Sequence, residues 1–307
     1  MVLHPVGKIE LPEHMGQGGF DHAAIHAATG KLFVAHTINN SLDVIDITKD
    51  RYLHSIPDLS GVAGALVDDN QNLVFTSNRN ENTVSIFHAI SENNLGKVPV
   101  GVRPNGLTYD PKRQHLLAAN VGDPEISGTF TVSVVDVESL KMTASIPMPG
   151  RTRWAVFDQQ AEAFYINIMD PAQIVVIDAK SPDRIARIIH VPAAGPHGLD
   201  LENDRHLLYC ACDAKKLVQL DPQTGQALTV IDLSGTPDVI FFNSMLKHLY
   251  VAIGDPGVID VVDTQSMQII ETISTEKGAH TIAFDSVNNK IYAFAPQSHS
   301  ALVFVDE

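Results

Sequence analysis

The chain of 307 residues is poor in several residue types, and each shortage excludes something. It has two cysteines, Cys210 and Cys212, and one tryptophan, Trp154. The cysteines lie two apart in Leu207-Leu-Tyr-Cys-Ala-Cys, a stretch of strand character, so both side chains face the same way. At that spacing their Cα atoms sit near the upper limit for a disulfide, and no third cysteine exists to build a thiolate metal site. They read as buried or half-buried free thiols. Charged residues make up only 19% of the chain, and 21 Lys+Arg stand against 36 Asp+Glu, a net charge of −15. No basic cluster relieves that excess, which disfavours general binding of nucleic-acid phosphates. No apolar run approaches the roughly 18 residues of a membrane span. The first residues, Met1-Val-Leu-His-Pro-Val-Gly-Lys, lack a basic segment followed by an apolar one, so no signal peptide is expected in this chain. A cytoplasmic protein or an exported one trimmed of its leader would both read this way. With 44% apolar residues, the chain carries ample material for a folded core.

What is present is a repeat. Arg103-Pro-Asn-Gly-Leu-Thr-Tyr-Asp returns as Gly195-Pro-His-Gly-Leu-Asp-Leu, as Thr236-Pro-Asp-Val-Ile-Phe-Phe-Asn and as Gly278-Ala-His-Thr-Ile-Ala-Phe-Asp. Aligned on one position, the repeats start at Asp21, Ala63, Asn105, Arg153, His197, Asp238 and His280, with gaps of 42, 42, 48, 44, 41 and 42 residues. Seven starts near a 42-residue period predict an all-β fold, a seven-bladed β-propeller with four-stranded antiparallel blades. Each repeat has four short runs rich in β-branched residues, separated by polar turns, and no sustained helical period is seen. The seventh repeat stops after three runs. The N-terminal Val6–Leu11 resembles the closing run Leu95–Val100 of the second repeat and is expected to supply the missing outer strand by pairing with Ala301–Val305. One domain, 1–307, follows.

Phe33-Val-Ala-His-Thr-Ile-Asn-Asn-Ser-Leu-Asp-Val-Ile-Asp and Leu73-Val-Phe-Thr-Ser-Asn-Arg-Asn-Glu-Asn-Thr-Val-Ser-Ile resemble YVTN-type repeats, as does Leu249-Tyr-Val-Ala-Ile with Ile259-Asp-Val-Val-Asp. The chain is therefore similar to the YVTN/YncE-like seven-bladed propellers. The resemblance implies the fold and leaves the function open, since the family mixes surface-layer modules, exported binding proteins and uncharacterised members. The family's Asn at the end of the second strand is kept as Asn78 and Asn120. It is replaced by His36 in the first repeat and by Ile168, Ala211, Ile253 and Ala295 in the rest.

In a propeller the first strand of each blade lines the central channel, and the loops entering it share one face, here termed the top. The register predicts a ring of Asp21, Ala63, Asn105, Arg153, His197, Asp238 and His280 around the top mouth. His197, Asp238 and His280 are the candidate ligands of one divalent ion (Zn, Mn, Fe, Ni or Ca), because neutral imidazole and carboxylate suit such ions. Asp21 is the candidate general base or fourth ligand. Arg153 and Asn105 on the opposite arc are candidate anchors for an anionic or carbonyl oxygen. The concrete reading of these residues is a metal-assisted hydrolase, lactonase-like, or a lyase acting on a small oxygenated substrate. The alternative is a non-catalytic binding or scaffold propeller that recruits a protein, peptide or glycan, with only water in the channel. The partner expected at the mouth is a small molecule or peptide, and the protein is expected to be a monomer.

His22 is expected to point away from the channel by strand alternation, and His299, in a top loop, to reach toward the mouth. His115, His206 and His248 share the second-strand start with Lys31 and Lys290, which reads as a solvated position on the bottom face. The third repeat carries six extra residues in its top loop, within Val121–Phe130, as a candidate lid bearing Asp123 and Glu125. No nucleotide cofactor is expected, since neither a GxGxxG turn before a helix nor a phosphate loop is present.

Overall fold

A computed structural model of the chain describes residues 2–16 and 18–307. Its strands form seven four-stranded antiparallel sheets, and within each of six blades the strands pair in chain order. The only helix among the described residues is a three-residue 3-10 turn, Thr37–Asn39. No helix among the described residues is long and apolar enough to cross a membrane. The innermost strands are Phe20–His26, Val62–Asp68, Pro104–Asp110, Thr152–Asp158, Pro196–Glu202, Pro237–Asn243 and Thr281–Asp285, numbered here as blades 1 to 7. Neighbouring inner strands touch all the way round, including blade 7 against blade 1.

Packing explains why the middle runs of each repeat are apolar on both faces. Second and third strands lie between two neighbouring blades, so His115–Asn120 and Leu249–Ile253, for example, are buried almost throughout. Seven apolar clusters result, one per seam. Leu199, Cys210 and Val218 of blade 5 meet Tyr165 and Ile174 of blade 4 in one of them. Another joins Tyr292, Phe294 and Val303 of blade 7 to Leu32, Val34 and Ile45 of blade 1. The outer strands return to alternation, as in Gln268–Ser274, because one face is wet. Cys210 and Cys212 are free and wholly buried, with their sulfurs 3.9 Å apart. Burial pushes the Cys210 thiol well up, which keeps it inert at neutral pH.

The ring closes through the N-terminus. Leu3–Glu10 is the outer strand of blade 7 and pairs antiparallel with Ser300–Asp306, Leu3 opposite Asp306 and Glu10 opposite Ser300. The strand thus begins earlier than Val6. Its start is held by a neighbour: Glu271 Oε2, on the outer strand of blade 6, accepts the backbone N–H groups of Val2 and Leu3, each at 2.7 Å.

The position at the start of the second strand is not the solvated site expected from its mix of Lys and His. Its side chains clasp adjacent blades. Lys31 reaches Glu92, His206 reaches Asp158 at 2.6 Å, His248 reaches Asp306 at 2.7 Å and Lys290 reaches Asp50 at 2.7 Å. His115 is the exception, with Nδ1 buried and unpartnered.

Candidate functional site at the top mouth

A recurrent irregularity builds the mouth. In six blades the pairing of first and second strands slips near the top: Phe20/Ala23, Val62/Gly64, Pro104/Leu107, Thr152/Ala155, Pro196/Leu199 and Pro237/Ile240. A β-bulge places extra residues on one strand and re-aims their side chains. Two successive residues therefore face the axis where alternation would allow one. Where the second of them abuts the next blade it is glycine. A Cβ on Gly106 would lie 2.5 Å from the Arg153 carbonyl oxygen, and one on Gly198 would lie 2.3 Å from that of Asp238. The Pro-Asn-Gly and Pro-His-Gly phrases are thus bulges pressed against a neighbouring backbone.

The same bulge corrects the expectation for His22. It is 6% exposed and turns inward, its ring 4.1 Å from that of Trp154, which crosses from blade 4 and also meets Phe241 of blade 6 edge-on. These aromatic rings divide the channel. Beneath them is a cavity of about 970 Å³, lined by Leu66, Tyr109, Trp154, Phe157, Asp200 and Phe241 among others, and bordered by bottom-turn residues such as Asn70 and Gln159. None of the seven expected mouth residues lines it.

Above the rings, five of the seven expected residues come together. His197 is central: its Nδ1 is 2.7 Å from Asp213 Oδ1, and its Nε2 is 3.2 Å from both Arg153 Nη1 and Asp238 Oδ1. His280 Nε2 lies 4.0 Å from Asp238 Oδ2, while its Nδ1 is 2.8 Å from the Gly278 carbonyl oxygen. Asp21 is 3.0 Å from Arg79 Nη2 and 3.4 Å from His22 Nε2. Asn105 is 8% exposed and its Oδ1 has no partner. Ala63 is buried and contributes no polar group.

The electrostatics follow from this crowding. Burial opposes ionisation of Asp238, yet His197, His280, His22 and Arg153 outweigh it and hold the carboxyl below its ordinary range. Burial alone would lower His280, but Asp238 and Asp21 raise it above the usual histidine value. In His22 burial wins over the same two carboxylates and keeps the imidazole neutral at neutral pH.

Several mouth residues escaped the sequence reading. Arg79, Met169 and Asp213 each follow directly on a second strand, and Arg153 Nη2 donates to Met169 Sδ at 3.4 Å and lies 3.6 Å from Asp213 Oδ2. In blade 5 that strand ends at Cys212, opposite Pro196, one residue beyond Ala211. The shift hid Asp213, and counting from the end of each second strand would have exposed all three. Arg103 and Arg151 lie in the loops entering blades 3 and 4. Burial and then the like charges of Arg153, Arg103 and Arg79 hold the Arg151 guanidinium below its ordinary value, which groups all four on one arc. Arg103 and Arg151 form no ion pair among the described residues, and the Nε atoms of Arg79 and Arg153 are buried without partners.

Other candidates make local contacts. Asn78 and Asn120 brace their own blades, Nδ2 donating to Ser85 Oγ at 2.9 Å and to Ser133 Oγ at 3.0 Å. His299 contacts His14 rather than the mouth. In the inserted loop of blade 3, Asp123 Oδ1 accepts the Glu125 N–H at 3.0 Å and Thr129 ties the loop to itself. Among the described residues, no three His, Cys, Asp or Glu side chains already enclose a common point at metal-ligand range.

Comparison with known proteins agrees with the fold. No described protein family matches the chain. Over 280 residues, 90% of this chain and 68% of the relative, it is 21% identical to the uncharacterized protein YncE of Salmonella typhimurium, and equally so to that of Salmonella typhi. It superposes on a chain of the Kuenenia stuttgartiensis hydrazine synthase structure with a TM-score of 0.80 at 14% identity, covering 96% of this chain and 97% of that one. A chain of a mitotic checkpoint complex crystal structure gives 0.81 at 12% identity, covering 98% and 91%. The chain is a seven-bladed propeller, similar in sequence to YncE.

Proposed function

We propose that the protein is a ligand-binding propeller whose top mouth recognises a small oxyanion-bearing molecule, a carboxylate or phosphate ester. The observation that carries this reading is the arginine arc. A chain of net charge −15 sets four of its nine arginines, Arg79, Arg103, Arg151 and Arg153, on one side of one opening. Two of these have no ion-pair partner among the described residues, and two hold a buried N–H without an acceptor. Guanidinium groups gathered on one arc suit a planar or tetrahedral oxyanion. Opposite them, His197 and His280 can donate to further ligand oxygens while Asp238 and Asp213 set their orientation.

A second reading, the metal-assisted hydrolase or lyase, draws on the facing arc. His197 and His280 each have Nδ1 engaged, with Asp213 and the Gly278 carbonyl, and each turns Nε2 toward Asp238. Such outer partners orient metal-ligating imidazoles, so the donor set fits a divalent ion that would polarise a substrate carbonyl or activate water. Against this, Arg153 Nη1 stands 3.2 Å from His197 Nε2, where a cation would have to displace it. Asp21 would serve as base only if freed from Arg79. Arg153 and Asn105 keep the same role, anchoring substrate oxygens, under both readings.

Calorimetric titration at low salt with citrate and with inorganic phosphate tests the first reading. Wild type should bind at least one of them, and Arg151→Ala and Arg103→Ala should each weaken it at least about tenfold, since a hydrogen bond to a charged group contributes about 1.5–3 kcal/mol. Emission from Trp154, the only tryptophan, should change with the same titration curve. If affinity is unchanged in the double variant, the arginine arc is not the site.

A further inference from the structure

Outside the channel, three imidazoles meet where the top loop of blade 7 lies against the segment leading into blade 1. His14 Nδ1 is 2.9 Å from His36 Nε2 and 3.3 Å from His299 Nδ1, and both ring pairs stand edge to face. None of the three belongs to the mouth.

His36 occupies a slot whose ordinary use is visible in the sister blades. There the last residue of the second strand is Asn78 or Asn120, which donates to Ser85 or Ser133 on the third strand. Blade 1 rewrites both partners: His36 takes the asparagine position and Asp43 that of the serine. Both are wholly buried, and His36 Nδ1 lies 2.7 Å from Asp43 Oδ2. Ser55 Oγ donates to the other carboxylate oxygen at 2.6 Å, with Ser41 Oγ at 3.4 Å. The brace is therefore kept, but the imidazole has a second nitrogen where the amide has none. With Nδ1–H donated to the carboxylate, Nε2 presents a lone pair to His14.

With all three imidazoles neutral, proton accounting leaves the cluster short of a cation. If His14 carries its proton on Nδ1, that one N–H faces two acceptor nitrogens, His36 Nε2 and His299 Nδ1. If it carries the proton on Nε2, its Nδ1 lone pair faces that of His36. Either tautomer leaves a lone pair unserved or opposed. Two nitrogens bound at 2.0–2.1 Å to one tetrahedral ion stand about 3.3 Å apart, close to the separations seen. His14 packs against the bare Cα of Gly19, where a Cβ would lie 2.8 Å from its Cε1. As they stand the rings are linked through His14 and do not enclose a point, so binding requires a rotamer change at His14 or His299, both half-buried.

We propose that His14, His36 and His299 form a tri-imidazole site for a divalent transition-metal ion of the zinc class. Asp43 is the carboxylate that orients His36, a positioning residue rather than a ligand. Three neutral nitrogens leave a fourth position open to water or a small ligand.

The test is titration of untagged, chelator-stripped protein with Co(II), read by its visible ligand-field absorption, then competition with Zn(II). One equivalent of four-coordinate Co(II), displaced by Zn(II), is expected. His14→Gln and His299→Gln should each weaken binding at least about tenfold, and Asp43→Asn about 10- to 100-fold. The half-buried His14 and His299 variants should fold normally, and the melting curves of the metal-free proteins check this. His197→Gln and His280→Gln should leave the spectrum unchanged. Binding that survives the His14→Gln/His299→Gln double variant, or no Co(II) uptake at about 100 μM, overturns the proposal. Absorption lost in His197→Gln but kept in His14→Gln overturns it as well and transfers the metal to the mouth.

Discussion

The two ends of the channel are made from the same seven strands, yet they differ in chemistry. Above the His22–Trp154 contact the wall is His, Asp, Asn and Arg; below it, Leu66, Tyr109, Phe157 and Phe241 surround a cavity of about 970 Å³ with Asp200 on its wall. The difference originates in backbone register. Bulges at the top present consecutive side chains to the axis, while the lower part of each strand keeps simple alternation. A repeat can thus vary its top residues from blade to blade while a regular ladder below maintains the ring. Loops on a rigid scaffold are where binding residues concentrate, and here the scaffold's own irregularity extends that freedom one residue into the strand.

The strongest way to break this comparison is to remove what both ends share. Deleting residues 1–12 takes away the outer strand of blade 7, including the buried Leu3, Ile9 and Leu11. At about 1.5–3 kcal/mol for each buried side chain, the loss approaches the whole stability of an ordinary domain. It also bares the edge of Ser300–Asp306, an invitation to pairing between molecules. The truncated protein should melt far below wild type and aggregate. Melting within a degree or two of wild type would refute this closure as the ring's clasp.

How much of this was legible beforehand depended on whether a feature is local in the chain. The seven starts and the incomplete last repeat carried the ring and its N-terminal closure, because each strand announces itself by composition and turns. The mouth positions were found by the same register, and His197, Asp238, His280, Asp21 and Arg153 do converge. Most of the failures concern partners that lie outside the strand's own run, in the same blade or the next. Asp213 beside His197, Arg79 beside Asp21, and the clasps at Lys31 and His206 join segments 16 to 61 residues apart, a relation no strand pattern encodes. The inward turn of His22 was lost because a bulge cancels the alternation that predicted otherwise. His14, in a segment outside every repeat, offered no register by which to meet His36 and His299.

A smaller intervention removes the partition itself. Trp154→Ala would join the mouth to the cavity and delete the contacts with His22 and Phe241. Complete truncation of a buried aromatic costs about 3–5 kcal/mol, and Trp154 is half-buried, so a loss of about 2 kcal/mol is expected in urea unfolding followed by far-UV circular dichroism. Oxyanion affinity at the mouth should fall only modestly, since Arg79 and Arg103 enter from other blades and Trp154 itself supplies no oxyanion donor in this reading. A collapse of that affinity equal to the loss in Arg151→Ala would mean that the two chambers act as one site.

The mildest test is confined to the lower chamber. Asp200 faces the cavity, and burial pushes its carboxyl up to about 6 although Oδ2 accepts the Phe242 N–H at 2.7 Å and Oδ1 the Leu201 N–H at 2.8 Å. The sign is that of a raised carboxyl. Between the ordinary value of 3.8 and about 6 the folded protein holds a proton that the unfolded chain has released. This contribution to stability is complete below the unfolded value and disappears as pH rises through about 6. A shift of that size corresponds to about 3 kcal/mol at most, and less here because the side chain retains some solvent contact. Asp200→Asn removes the titration but can accept only one of the two backbone N–H groups through its single oxygen. The variant should therefore be no more stable than wild type at pH 4.5 and gain on it by about 1–2 kcal/mol by pH 7.5, most of the gain falling below about pH 6 and the difference levelling off above it. Anion binding at the mouth should be untouched, because the aromatic partition lies between. A stability difference that stays flat from pH 4.5 to 7.5 would show that water reaches Asp200 freely and that the lower chamber is not the low-dielectric pocket its aromatic walls imply.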